Sequence, residues 1–217
     1  MSLPVSRTRA GGRALVAIAT AALLLTACAG QDIAASQSSP GQSAPLATTD
    51  AQTPATGSGS SQTVAALERS VPQRVVIPSL GVSSTLETLG QNEKGAMTTP
   101  KDPDLAGWYE PGPTPGSEGP AVIAGHVTWN GADAVFKKLK TIKTGATVEV
   151  EREDGKIATF TVDRVEEYPK ATFPTLEVYK NLDYAGLRLV TCGGEFDADQ
   201  HYYPNNVVVF ASMTSVA

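Results

Sequence analysis

Residues 147–162 read TVEVEREDGKIATFTV and contain the clearest folding signal in the chain. Apolar and polar residues alternate on both sides of the pair Asp154-Gly155; the apolar positions are Val148, Val150, Phe160 and Val162. Alternation with a period of two is typical of a strand with one buried face, and Asp-Gly between two such runs is a strong hairpin signal. The stretch therefore predicts an antiparallel β-hairpin.

Further short apolar runs lie on both sides of this hairpin, bounded by glycine and proline. They fall at residues 74–77, 84–89, 121–124, 187–191 and 206–211. With the hairpin they give roughly seven or eight short strands, and no long amphipathic helix interrupts them. Residues 134–139 are expected to form a helical turn or two. The chain is therefore predicted to be all-β, folded as a sandwich or a closed barrel around one core.

The N-terminal part of the chain has the composition of an export leader. All 13 aromatic residues (Phe 5, Tyr 6, Trp 2) lie from Trp108 onward, so the core must form in the later part. Residues 1–27 contain arginines and then an apolar run at 14–25, which is the pattern of an export signal. That run is short for a helix crossing a ~30 Å hydrocarbon core, which takes about 20 residues.

The end of this leader, Leu25-Thr26-Ala27-Cys28, resembles the lipobox of bacterial lipoproteins. The resemblance implies that the Cys28 thiol receives a diacylglyceryl group and becomes the N-terminus after cleavage. The alternative is an uncleaved membrane anchor over the same residues. In both cases we expect an N-terminal attachment to the membrane, with the protein on its extracytoplasmic face.

A tether and a folded domain are predicted after the leader. Residues 28–70 are predicted to be disordered, because the segment 31–66 has no Lys, Arg or aromatic residue and cannot bury enough apolar surface to fold. Residues 71–217 are predicted to be the folded domain. The formal net charge is −5, and loss of the leader's three arginines changes it to −8. This acidity argues against a nucleic-acid partner and against attraction to anionic lipid.

Cys192 is the candidate nucleophile. If Cys28 carries lipid, Cys192 is the remaining one of the chain's two cysteines, and free thiols outside the cell tend to oxidise or pair. It ends a predicted strand and precedes two glycines, which permit close approach by a ligand. His126 follows another predicted strand and is the candidate proton donor and acceptor. The alternatives are a buried inert cysteine and a surface histidine; His201, in a polar loop, is assigned to the surface.

Motifs distributed through the domain resemble those of the sortases, and are most similar to class F sortases. The two central motifs are Ile-Ala-Gly-His-Val at 123–127 and Leu-Val-Thr-Cys-Gly-Gly at 189–194. Shorter matches lie at 107–109, 135–139, 168–169 and 206–209. The resemblance spans about residues 75–210, the whole predicted domain.

This resemblance implies a closed eight-stranded barrel with one or two short helices and a cysteine transpeptidase activity. Cys192 would attack the Thr carbonyl of a Leu-Pro-x-Thr-Gly-like signal on secreted proteins and form an acyl-thioester. His126 would protonate the departing Gly amine, and an amine of a peptidoglycan precursor would resolve the thioester. Thr191 and Gly193 would line the substrate groove. No cofactor or metal is expected, because the turn acids lack the spacing of a calcium loop and no cofactor motif is present.

One departure from the sortase pattern concerns an arginine that sortases carry about a dozen residues after the cysteine. Here that region reads His-Tyr-Tyr-Pro-Asn-Asn at 201–206. Arg188 shares the strand face of Cys192 but lies about 13 Å away along the strand. We expect Asn205, His201 or backbone N–H groups near Gly193 to replace the arginine.

Two other functions are compatible with these residues. An L,D-transpeptidase also uses Cys and His on a β scaffold, but its Ser-His-Gly-Cys type of motif differs from the Val-Thr-Cys found here. A sortase-like lipoprotein that binds sorting signals with little or no turnover is favoured by the missing arginine and opposed by the retained Cys and His. Trapping an acyl group on Cys192 would separate a binder from an enzyme.

Overall fold

The strands form where β-branched and aromatic residues alternate with polar ones or form short apolar runs. The computed structural model describes residues 64–217, in which ten strands and one α-helix occur. The strands are β1 (Pro72–Ile77), β2 (Val82–Leu89), β3 (Ala106–Tyr109), β4 (Gly119–Ala124), β5 (Thr128–Trp129), β6 (Ala132–Asp133), β7 (Thr147–Arg152), β8 (Ile157–Pro169), β9 (Ala185–Gly193) and β10 (Asn205–Val216). The helix α1 is a short one, Thr175–Tyr179.

The predicted hairpin is β7 and β8, paired antiparallel with Val148 opposite Phe160. Gly155 in its turn has a φ of 77°, the left-handed conformation that glycine adopts without strain. The barrel closes in the order β1-β2-β3-β4-β9-β10-β8-β7. Two neighbouring pairs, β2 with β3 and β4 with β9, are parallel. The prediction of an all-β, closed eight-stranded barrel is confirmed.

Strand β9 is buried on both faces, which explains its continuous apolar run. Leu187 and Leu189 point into the barrel core with Phe160 and Val209. Val190 points outward into a second cluster, the outer cluster; its buried members are Leu89, Val122, Ala124, Val178, Val190, Val208 and Phe210. Because side chains alternate along a strand, Cys192 lies on the same outer face as Val190.

Residues 134–139 do not form the expected helical turns, and that prediction is corrected. The segment consists of successive tight turns that end in a 3₁₀ turn at Leu139–Thr141. Its backbone N–H groups are used in tertiary bonds: Val135 donates to the Pro103 carbonyl at 3.0 Å and Phe136 to the His126 carbonyl at 2.9 Å. With Phe136 buried in the core, these bonds outweigh the local helical preference.

Residues 64–70, assigned to the tether from sequence, lie along the barrel in the structure. Leu67 donates its N–H to the Gly116 carbonyl at 2.8 Å, and the Arg69 guanidinium donates to the carbonyls of Glu110 and Gly112, both at 2.9 Å. The packed part of the chain therefore includes these residues. The predicted leader, Cys28 and the rest of the tether lie outside the described residues. None of the helices within 64–217 has the length and apolar character needed to cross a bilayer.

Candidate active site

Cys192 occupies the next-to-last position of β9 and is half-buried. Gly193 lies too close to the Val207 side chain for another residue, because an added Cβ would come within 2.8 Å of it. Gly194 has a φ of 83° and turns the chain away from the strand. The two glycines thus end the strand sharply and leave the sulfur partly open to solvent.

His126 lies two residues beyond the end of β4, the strand parallel to β9 and next to it. Ala124 of β4 is paired with Val190 of β9, and the Gly125 N–H donates to the Val190 carbonyl at 3.0 Å. His126 and Cys192 each follow this pair by two residues. Because adjacent strands lie about 4.8 Å apart, the β4–β9 pairing brings the two residues to the same end of the barrel.

Thr191 connects these two strands directly. Its hydroxyl is buried and donates to the Gly125 carbonyl at 2.8 Å. Gly125 precedes His126, so this bond fixes the backbone that carries the imidazole relative to the strand that carries the thiol. Thr191 also lines a cavity of about 230 Å³ beside Cys192, together with Phe136, Phe196 and Tyr203. Its predicted part in binding substrate, like that of Gly193, stays a prediction.

The imidazole of His126 has a defined orientation. Its Nε2 lies 2.9 Å from the Pro100 carbonyl, and its ring packs on Trp129 with centroids 4.8 Å apart. A carbonyl only accepts hydrogen bonds, so Nε2 carries the hydrogen in this contact. In the neutral imidazole this leaves Nδ1 as the proton acceptor.

Glu87 holds the loop that orients His126. Its carboxylate accepts the backbone N–H groups of Lys101 and Asp102 at 3.0 and 2.9 Å, directly after Pro100. These two hydrogen bonds hold the pKa of the Glu87 carboxyl below its usual range. Sequence reasoning did not identify Glu87, because nothing in its local pattern shows that β2 supports a loop beside β4.

Lys170 is a second site residue that sequence reasoning missed. It directly follows β8, and its Nζ lies 3.4 Å from the Cys192 sulfur. The same ammonium group lies over the Tyr202 ring, 4.6 Å from the centroid. The contact arises because β10 is the only strand between β8 and β9 in the barrel order, so the end of β8 faces the end of β9.

The residues expected to replace the arginine have other surroundings. The Asn205 amide donates to the Glu167 carboxylate at 2.7 Å, and the residue of β10 directly opposite Cys192 is Asn206. His201 is exposed, with its ring 6.3 Å from that of Phe196. The replacement of the arginine by Asn205, His201 or backbone N–H groups near Gly193 stays a prediction.

The Arg188 guanidinium is held by contacts in the outer cluster. Its guanidinium donates to the carbonyls of Val178 and Leu187 and lies 4.6 Å from the centroid of the Phe210 ring. Burial lowers the pKa of the Arg188 guanidinium below its usual range. These contacts hold Arg188 on the barrel wall, well before the end of β9.

A groove of about 450 Å³, which we call the outer groove, lies on the outer face of the barrel. Its wall is mainly apolar and includes Met97, Tyr109, Pro113, Val122 and Tyr179. Val122 and Val190 belong to the same outer cluster, so the groove begins on the face where Cys192 lies. Within residues 64–217, no group of three or more His, Cys, Asp or Glu side chains is arranged to hold a metal ion.

A closed barrel that places a cysteine and a histidine at the ends of two adjacent parallel strands defines a class of cysteine acyltransferases. The sortase domain family matches residues 75–214 of the chain. The chain therefore belongs to the sortase family, the cysteine transpeptidases. This family assignment decides against the L,D-transpeptidase alternative.

Solved sortase structures share the fold. Sortase C2 of pilus island 1 from Group B Streptococcus aligns with a TM-score of 0.52 and 18% identity, over 69% of this chain and 76% of that chain. A pilus-related sortase C of Group B Streptococcus aligns with 0.52 and 14%, over 69% of each chain. Sortase A from Corynebacterium diphtheriae aligns with 0.52 and 17%, over 68% of this chain and 62% of that chain. No curated protein matches the chain in sequence.

Proposed function

We propose that this sortase is of class F and cleaves a Leu-Pro-x-Thr-Gly-like sorting signal between Thr and Gly through an acyl-thioester on Cys192. The observation that supports this most directly is the matched position of His126 and Cys192 beyond the Ala124–Val190 pair. Covalent acyl transfer requires a partly exposed thiol and an imidazole with an acceptor nitrogen at the same site, and the matched strand ends carry these two groups.

The proposed reaction has two steps that share one proton carrier. The Cys192 thiol gives its proton to His126, and the thiolate attacks the Thr carbonyl carbon to form the carbon–sulfur bond. The tetrahedral oxyanion then collapses, the carbon–nitrogen bond to Gly breaks, and the Gly amine leaves with the proton from His126. An amine of a cell-wall precursor attacks the thioester in the same way and restores the thiol. His126 therefore serves as base in one direction and acid in the other.

The outer groove suits the apolar part of such a signal. Val122 lies four residues before His126 on β4, a separation of about 13 Å along a strand. In an extended Leu-Pro-x-Thr segment, Leu lies three residues before Thr, about 10 Å away, so with Thr at Cys192 the leucine lies within one residue of the level of Val122. We assign the signal's Leu and Pro to the apolar wall that contains Met97 and Tyr179. Thr191, Gly193 and Asn205 are proposed to contact the signal near the thiol.

We further propose that the enzyme is attached at its N-terminus to the membrane on the extracytoplasmic face. The support is the sequence Leu25-Thr26-Ala27-Cys28 after a short apolar run. The substrates proposed from this location are secreted proteins with a C-terminal sorting signal, and the acceptor is a peptidoglycan precursor amine. Mass spectrometry of the protein from bacterial membranes would show a diacylglyceryl group on Cys28; an intact residue 1–27 segment would instead show an uncleaved anchor.

The test of the reaction uses a library of peptides with the pattern Leu-Pro-x-Thr-Gly and an amine acceptor. We expect an acyl adduct on Cys192 in the intact mass spectrum and release of a peptide that begins with Gly. Cys192→Ala must abolish both, and a peptide with Thr and Gly exchanged is the matched control. Binding of the peptide without any adduct would overturn the proposal and support a non-catalytic binder. Cleavage that persists in Cys192→Ala would refute the role of the thiol.

A further inference from the structure

The ammonium group of Lys170 is the cation in direct contact with the candidate nucleophile. Its Nζ lies 3.4 Å from the Cys192 sulfur, within hydrogen-bond distance for a sulfur acceptor. None of the ion pairs formed among residues 64–217 includes Lys170. Its positive charge is therefore not neutralised there by a carboxylate and remains available to the sulfur.

The backbone holds Lys170 in this place. Its N–H donates to the Pro204 carbonyl at 2.9 Å, and the preceding Pro169 is paired with Asn205 of β10. The side chain then extends past β10 toward β9, with the ammonium group over the Tyr202 ring. A cation over an aromatic face is stabilised by the ring quadrupole, so Tyr202 helps to keep the ammonium group beside the sulfur.

We propose that Lys170 is a catalytic residue, whose ammonium group stabilises the Cys192 thiolate and then the oxyanion of the tetrahedral intermediate. The thiolate is the nucleophilic form of cysteine, and a neighbouring Lys or Arg increases its fraction. When the carbon–sulfur bond forms, the carbonyl electron pair moves to the oxygen. This oxygen is bonded to the carbon that the sulfur attacks, so the oxyanion forms close to the sulfur. Lys170 keeps its proton throughout, while His126 carries the proton that is transferred. This inference rests on the proposed function only for the oxyanion step.

Arg188 and Asn205, two residues that could have taken the place of Lys170 at the sulfur, are committed elsewhere. Arg188 donates to the carbonyls of Val178 and Leu187 in the outer cluster. Asn205 donates its amide to Glu167 and is uncharged. Lys170 therefore supplies the positive charge that the region 201–206 lacks, and it does so from the position directly after β8.

The experiment measures alkylation of Cys192 by iodoacetamide at fixed neutral pH, which requires no sorting signal. The variants are Lys170→Met, Lys170→Gln and Lys170→Arg, with Lys180→Met as the matched control at the far end of the same connection between β8 and β9. The rate is followed by intact mass, and the reaction of Cys192→Ala is subtracted to remove any contribution of Cys28. Circular dichroism and urea unfolding of each variant confirm that the fold is retained.

We expect alkylation to slow about tenfold in Lys170→Met and Lys170→Gln, because both variants remove the charge pair between the ammonium group and the thiolate near the protein surface. Lys170→Arg should stay within about threefold of the parent, because it retains the charge, and Lys180→Met should equal the parent. Peptide transfer by Lys170→Met should fall by about 10²–10³, as for loss of one oxyanion donor.

Two results would overturn the role of Lys170. One is an alkylation rate in folded Lys170→Met within about twofold of the parent. The other is an equal loss in Lys170→Met and Lys170→Arg, which would show that charge is not the cause. If alkylation responds to charge as expected but the parent transfers no signal peptide, the thiolate role of Lys170 stands and the proposed function fails. If transfer occurs and alkylation does not respond, the proposed function stands without Lys170.

Discussion

Replacing Thr191 by Val removes the side-chain hydrogen bond from β9 to the Gly125 carbonyl, just before His126, while the backbone pairing of β4 with β9 remains. Valine has nearly the shape of threonine, so packing is kept and the hydroxyl alone is lost. Thr191 is 4% exposed, and its 2.8 Å bond to the Gly125 carbonyl is buried. A carbonyl left buried without a partner costs about 1–3 kcal/mol. We therefore expect Thr191→Val to lower the free energy of unfolding by about 1–3 kcal/mol, or about 2–4 °C in Tm for each kcal/mol.

The peptide-transfer activity should change as well, because Gly125 directly precedes His126 and its position affects that of the imidazole. A small displacement of a catalytic group can reduce the rate by up to about 10², so peptide transfer in Thr191→Val should fall by about ten- to a hundredfold. Thr191→Ser keeps the hydroxyl and loses one methyl group, which costs about 0.8 kcal/mol in transfer free energy. It should retain most of the transfer rate.

Urea unfolding and peptide-transfer kinetics check this reasoning, because they show which of the two variants is more stable and which is more active. If the hydrogen bond matters, Ser is better than Val for activity; if apolar burial dominates, Val is better than Ser for both quantities. The control is Thr144→Val, whose exposed hydroxyl bonds the Asp163 carbonyl at 3.3 Å and which should change stability by less than about 0.5 kcal/mol. A Thr191→Val protein with parental stability and parental transfer rate would refute the coupling of the two strands through this bond.

Three further predictions concern the loop at Pro100 that orients His126, the end of β7 and the outer groove. Glu87→Gln should reduce peptide transfer by loosening the loop that holds His126; since the folded pKa of Glu87 is lowered, its contribution to stability is present above the unfolded carboxyl pKa and lost as pH falls through the folded pKa, so parent and variant should converge in urea unfolding at acidic pH. Arg152→Ala should destabilise the protein by about 3 kcal/mol in the same assay, because the carbonyls of Glu68 and Pro115 lose a buried donor; parental stability would contradict this. Met97→Glu should raise the KM for a signal peptide with little change in kcat, whereas Met97→Leu should behave like the parent; an unchanged KM in Met97→Glu would place the signal outside the outer groove.

The sequence predicts the strands whose apolar pattern is regular. The runs at 147–151, 158–162 and 187–191 all lie within strands, and the Asp154-Gly155 turn fixes the pairing of β7 and β8. The short strand β3 escapes notice because its four residues, Ala-Gly-Trp-Tyr, carry no alternation. The helix α1 and the strands β5 and β6 are shorter than the windows in which periodicity can be detected, and they form through tertiary packing.

The candidate site likewise has residues that the local sequence identifies and contacts that depend on the tertiary structure. Cys192 and His126 are identifiable from their own neighbours: a thiol before two glycines and an imidazole after an apolar run. Their placement at one end of the barrel depends on the parallel pairing of β4 with β9, which lie more than fifty residues apart in the chain. Glu87 acts through the backbone of a loop, and no side-chain pattern in the sequence records such a contact.

The burial of β9 on both faces explains why the positive charge at the thiol comes from a residue outside β9. Along the outer face of β9, the position before Cys192 is Val190 and the one before that is Arg188. Both are covered by the outer cluster, so Arg188 must satisfy its donors on local carbonyls and over the Phe210 ring. Moving its charge to the sulfur would break those bonds and leave buried carbonyls unpaired. Lys170 follows the end of β8, where no such packing holds the side chain, and its flexible stem reaches the sulfur with the charge intact.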